Sequence, residues 1–167
     1  SSGLVYVTST VPNTVTELLT QGHTTSVVAT INVGSDPQGV AVDSAQHIAY
    51  VANSVDNTVS EIHNGAVIGT ISVGRAPVGV GVDSSTQTAY VSNSRDATVS
   101  VIHGGAVVHT ITVGANAFGV AVDQSSHTVY VTNLFNDNVS VINGNLVTAT
   151  IAVAGAPYDV AVDSSTH

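Results

Sequence analysis

Residues 77–113 read PVGVGVDSSTQTAYVSNSRDATVSVIHGGAVVHTITV, and their reading decides the fold. Apolar residues alternate with polar ones in short runs, each closed by Gly, Asn, Asp or Ser, which is the pattern of half-buried strands joined by tight turns. The runs predict strands over 78–83, 88–93, 98–103 and 106–113. The third and fourth are linked by Gly104-Gly105, a dipeptide that supplies the positive φ of a two-residue hairpin, as Asn64-Gly65 and Asn143-Gly144 are expected to do elsewhere.

The unit recurs. Asp43, Asp83, Asp123 and Asp163 are spaced by 40 residues, as are the Thr-Ile pairs beginning at Thr30, Thr70, Thr110 and Thr150. Tyr50, Tyr90 and Tyr130 keep the same step, whereas Tyr6 precedes Tyr50 by 44 because the turn near Leu19 to Thr25 carries four extra residues. Four antiparallel strands at this period match one blade of a β-propeller, and no 3.6-residue periodicity supports a helical solenoid. The predicted fold is all-β: a propeller of four four-stranded blades. The units fall at about 34–73, 74–113 and 114–153, with 154–167 joined to 1–33 in a single domain. The ring is expected to close by pairing of residues 158–163 with residues 4–9.

Composition narrows the function. The hydrophobic share is 43%, without Trp or Met, so the core is made of small branched side chains suited to sheets. Two arginines stand against eleven acidic residues and the net charge is −9, which repels phosphate backbones and anionic lipid heads. Nucleic-acid partners and membrane insertion are therefore not expected. Cysteine is absent, which removes disulfides and thiolate metal sites. A lysine-free, acidic surface rich in Ser and Thr points to an extracellular or cell-surface setting.

Tyr50-Val51-Ala52-Asn53, Tyr90-Val91-Ser92-Asn93 and Tyr130-Val131-Thr132-Asn133 resemble the YVTN-repeat β-propeller family, with Tyr6-Val7-Thr8-Ser9 as a degenerate copy. The resemblance extends to Gly39-Val40-Ala41-Val42-Asp43 and Thr98-Val99-Ser100. It implies a propeller similar to microbial surface-layer and cell-surface proteins, with lactonase-like and lyase-like enzymes among larger relatives.

No nucleophile elbow, phosphate loop or His-Glu zinc motif is present. The aspartates at 43, 83, 123 and 163 precede Ser or Gln-Ser and read as turn caps rather than a metal ring. Asp56, Asp96 and Asp137, with Asn53, Asn93 and Asn133, read as turn formers. The histidines fall into repeat-equivalent sets, His47, His127 and His167 in one turn and His63 and His103 at one strand end, while His23 and His109 are expected to face solvent. Glu17 and Glu61 read as surface positions. No catalytic residue, metal or cofactor is assigned. The residues that break the repeat are Asp36, Arg75, Arg95, Phe118, Phe135, Tyr158 and Asp159, in loops that propellers gather on one face, which makes them the candidate ligand-binding face.

The outermost strands contain no Lys, Arg, Asp, Glu or Pro, so their edges are expected to be bare and open to pairing. The resulting expectation is a non-catalytic, self-assembling surface protein that forms homo-oligomers or filaments. The alternative is an adhesive module that binds surface glycans or other cell-surface proteins, with a lactonase- or lyase-like enzyme third.

Overall fold

A computed structural model of the chain describes residues 2–163. The first sheet has three strands, β1 (Ser2–Ser9), β2 (Thr14–Gln21) and β3 (Thr24–Asn32). The second holds β4 (Pro37–Asp43), β5 (Ile48–Asn53), β6 (Thr58–His63) and β7 (Ala66–Ser72). The third holds β8 (Pro77–Asp83), β9 (Thr88–Asn93), β10 (Thr98–His103) and β11 (Ala106–Thr112). The fourth holds β12 (Ala117–Asp123), β13 (Thr128–Asn133), β14 (Asn138–Asn143) and β15 (Leu146–Ala152). Every sheet is an antiparallel meander, and β4, β8 and β12 lie side by side as the inner strands. The four-residue insertion lengthens the hairpin of the first blade, where β2 spans 8 residues and β3 spans 9.

Blades join through a repeated apolar contact. Tyr50, Val59 and Ile71 of the second blade pack on Ala89, Val91 and Ile102 of the third. Tyr90, Val99 and Ile111 of the third meet Val129, Val131 and Ile142 of the fourth in the same way. Burying one such isoleucine stabilises the fold by about 2 kcal/mol. The middle strands of the second and third blades, β5, β6, β9 and β10, are buried on both faces because each lies between two neighbouring blades.

Three features differ from expectation. Among the described residues no strand pairing closes the ring: residues 157–163 form no strand and make no ladder with β1–β15. Instead Tyr158 and Asp159 rest against Gly119 of β12, so the blades form an arc. The rim edges are not bare. Each outer strand carries a β-bulge at the equivalent place, leaving Val28, Ile68, Val108 and Thr148 without a ladder partner. A bulge twists an edge away from a would-be partner strand, so these rims are blunted without charge or proline. In the fourth blade the hairpin turns at Gly144, and Asn143 closes β14 rather than turning.

Candidate functional site

The inner strands carry a second bulge, between Pro37 and Val40, Pro77 and Val80, and Ala117 and Val120. It re-aims residues 38–39, 78–79 and 118–119 toward the next inner strand. The glycine there is what permits contact: a Cβ on Gly39 would stand 2.4 Å from the Val78 carbonyl oxygen, and one on Gly79 would stand 2.1 Å from that of Phe118. A hydroxyl from the neighbouring strand locks the approach. Ser92 Oγ donates to the Phe118 carbonyl, Thr132 Oγ1 donates to that of Tyr158 at 3.2 Å, and Thr8 Oγ1 donates to that of Gln38 at 2.8 Å.

These bulges line an open axial groove of about 280 Å³. Phe118, Tyr158 and Asp159 lie in it together, with Gln38 and Val78. The Phe118 and Tyr158 rings sit 4.2 Å apart between centroids at 44°, a tilted pair of the kind aromatic quadrupoles favour. Asp36, Arg75 and Arg95 line a separate cleft between loops. There Arg75 Nε donates to Asp96 Oδ1 at 2.6 Å, and the Arg75 backbone amide donates to Asp96 Oδ2, which together hold the Asp96 carboxyl below its ordinary range. Asp36 accepts from Gln38 Nε2 at 2.8 Å. Phe135 stands apart from these, 75% exposed on its loop. The seven repeat-breaking residues thus divide into an axial group, a loop group and one outlier.

The acidic sets hold backbone. Asp43 Oδ1 accepts from the amides of Ala45 and Gln46, and Asp83 and Asp123 do the same for Ser85 and Ser125. Asp56 accepts from the Ser35 amide at 2.7 Å, and Asp137 accepts from the Ala156 amide at 2.8 Å, which tie a loop to the linker between blades. The Asn of each YVxN run is buried. Asn93 Nδ2 donates to Thr98 Oγ1 and Ser100 Oγ, pinning the turn between β9 and β10, and Asn53 and Asn133 repeat the latch. Among the described residues no group of three His, Cys, Asp or Glu is placed to hold a metal ion. His167 lies outside the described residues.

Glu17 and Glu61 are not surface positions, being 4% and 8% exposed. Alternation places both on the face of a third strand that the next blade covers, opposite Tyr6 and Tyr50 respectively. Burial pushes the Glu61 carboxyl above its ordinary range, offset in part by the Tyr50 hydroxyl that donates to it, and Tyr50 is pushed up to about 12. The sign follows. The folded chain holds the Glu61 proton more tightly than the unfolded one, so this contribution to stability is complete below the ordinary Glu value of about 4.3 and is lost as pH rises through the raised value. Glu61→Gln keeps the shape and an acceptor for Tyr50. Its stability relative to the native chain should therefore increase from pH 4 to pH 7, measured by urea unfolding at each pH. A pH-independent difference would contradict the assignment.

No protein-family model matches the sequence, and no curated protein matches it. Solved structures do. A functionally unknown protein from Desulfotomaculum acetoxidans superposes at TM-score 0.82 with 15% identity, over 98% of this chain and 59% of its own. A catalytically inactive virginiamycin B lyase from Staphylococcus aureus, solved with quinupristin, superposes at 0.79 with 10% identity over 95% and 56%. The WD40 β-propeller domain of Doa1 gives 0.72 and 15% over 91% and 55%. The fold is that of a β-propeller built from sequence repeats. The chain spans a little over half the length of these structures.

Proposed function

We propose that this chain is a non-enzymatic, YVTN-like structural propeller of the cell exterior whose copies assemble head to tail by donating a strand. The carrying observation is the seat of residues 157–163. Tyr158 and Asp159 contact Gly119 as Phe118 contacts Gly79, which is the place of a next inner strand, yet no ladder forms on the far side. At the opposite end β1 is an edge strand. The inner-strand register, in which Val40 faces Val51, would set Val160 of one copy opposite Val7 of another.

The end faces support the same reading. Val51, Val91 and Val131 are 0% exposed, whereas the equivalent Val7 is 44% exposed. Ile71 and Ile111 are 7% and 5% exposed, whereas the equivalent Ile151 is 51% exposed. One end shows the apolar face that the other end's face covers inside the arc, which is a heterologous, head-to-tail match. The bulged rims favour end-to-end contact over rim pairing. The groove residues offer Tyr158 and Asp159 as the ionisable lining groups, which suits ligand recognition better than bond breaking, and the Phe118–Tyr158 pair favours an adhesive second reading with glycans or surface proteins as partners.

Sedimentation velocity across a concentration series tests this. The native chain is expected to associate. Placing a charge at the joint, with Val7→Lys and Ile151→Lys, should weaken association at least about tenfold, since an unpaired charge against apolar surface costs more than about 1.4 kcal/mol. Thr70→Lys and Thr110→Lys on the rims should leave it unchanged. A chain that stays monomeric, or one that only the rim variants disperse, would refute the proposal.

A further inference from the structure

Three of the inter-blade joints can be compared position by position, and one of them is different. In the joint between the first and second blades, Glu17 lies opposite Tyr6 and its Oε2 would stand 3.7 Å from a Cβ on Gly65, in the next blade's hairpin. In the second joint Glu61 lies opposite Tyr50, and its Oε2 would stand 2.5 Å from a Cβ on Gly69 and 3.7 Å from one on Gly105. Both carboxylates accept from the tyrosine, and two glycines leave room for Glu61.

In the third joint Val101 replaces the glutamate opposite Tyr90, His109 stands at the Gly69 position opposite Val101, and Asn145 stands at the Gly105 position. The result is an open cavity of about 570 Å³ lined by all four of these residues. The exchange has a chemical direction. An acceptor-only carboxylate is gone, and a buried phenol, an imidazole and a carboxamide, all able to donate, surround its place. Tyr90 is 8% exposed, and Val101 offers its hydroxyl no acceptor. Asp83 also reaches this cavity, but its carboxylate already accepts from the Ser85 amide, Ser85 Oγ and His127 Nδ1, the last at 2.7 Å. Burial and then the Asp83 charge raise the Tyr90 hydroxyl above its ordinary range and keep it a donor, and Val101 and Val108 give the cavity an apolar wall.

We infer that the joint between the third and fourth blades is a binding site for a small organic carboxylate, whose carboxylate group takes the place that Glu61 fills in the preceding joint. The ligand accepts from Tyr90, His109 and Asn145 and rests its apolar body on Val101 and Val108. This site is independent of assembly at the end faces.

Benzoate is the probe, with benzamide as its neutral isostere, titrated into the full chain by calorimetry and by amide NMR. Benzoate should bind saturably, move the Tyr90, His109 and Asn145 resonances, and exceed benzamide at least about tenfold, the loss of one charge-assisted hydrogen bond. Tyr90→Phe should weaken it by about the same factor. The double variant Val101→Glu with His109→Gly restores the glutamate and the facing glycine of the preceding joint and should abolish binding while melting at or above the native temperature. Asn145→Gly, on an exposed hairpin, gives a second reading should the double variant fail to fold, with weakened binding expected. Absence of saturable benzoate binding, equal binding of benzamide, or binding undiminished in Asn145→Gly and the double variant would overturn the inference.

Discussion

Gly79→Ala is expected to lower stability by about 3 kcal/mol, because the added methyl meets backbone rather than a yielding side chain. Its Cβ would stand 2.1 Å from the Phe118 carbonyl oxygen and 3.0 Å from Ser92 Oγ. That carbonyl is held by Ser92 Oγ, so relief requires separating β8 from β12 and loosening the joint between the third and fourth blades. For a chain of this size the loss corresponds to a melting temperature lower by about 6–12 °C. Gly3→Ala is the control, since nothing lies within 4 Å of a Cβ there, and it should melt within about a degree of the native chain. Equal melting of both variants would show that the inner strands do not approach as described.

Asn93→Ala is expected to cost a similar amount, about 3 kcal/mol, by leaving buried hydroxyls short of a partner and opening space beneath Gly74. Asn93 is fully buried, its Nδ2 bonds Thr98 Oγ1 at 3.0 Å and Ser100 Oγ at 2.9 Å, and a Cβ on Gly74 would stand 2.6 Å from its Cγ. The latch joins β9, β10 and the linker before β8. Urea unfolding should show a lower midpoint with an unchanged slope. A variant as stable as the native chain would mean that the turn holds itself together without the Asn.

The blades were legible because strand alternation and turn residues coincide at one period. Each expected strand of the third unit matches β8–β11 within a residue or so. The bulges were not legible. A bulge depends on one residue falling out of ladder register, and Val28, Ile68 and Val108 belong to the apolar alternation on either side. Several turn positions were also silent: Ala76, Ala97 and Ala156 take positive φ, which residue type alone would assign to Gly or Asn. Within the candidate site, Phe118, Tyr158 and Asp159 stood out as breaks in the repeat and do meet at the axis. Glu17 and Glu61 differ from expectation because alternation turns both to the strand face that the next blade covers, which their charge alone does not indicate. The signal was present: each lies opposite the tyrosine of a Tyr-Val run, with Glu17 on the strand face of Val15 and Glu61 on that of Val59, both of them core positions. The cavity at the third joint lies where Val101, His109 and Asn145 stand in place of Glu61, Gly69 and Gly105, a difference between repeats that no single repeat carries.

The absence of cysteine makes the most direct test of head-to-tail assembly simple. Val7→Cys and Val160→Cys are prepared as separate chains, mixed, and oxidised mildly, because paired antiparallel strands bring opposite Cα atoms within the 4.4–6.8 Å that a disulfide requires. Strand donation between copies predicts a disulfide joining one chain of each kind, in excess over either homodimer. A chain carrying both cysteines should then form linked series or closed multimers. Oxidation of the double variant to an internally bridged monomer at every concentration, with no mixed species from the single variants, would contradict assembly between copies.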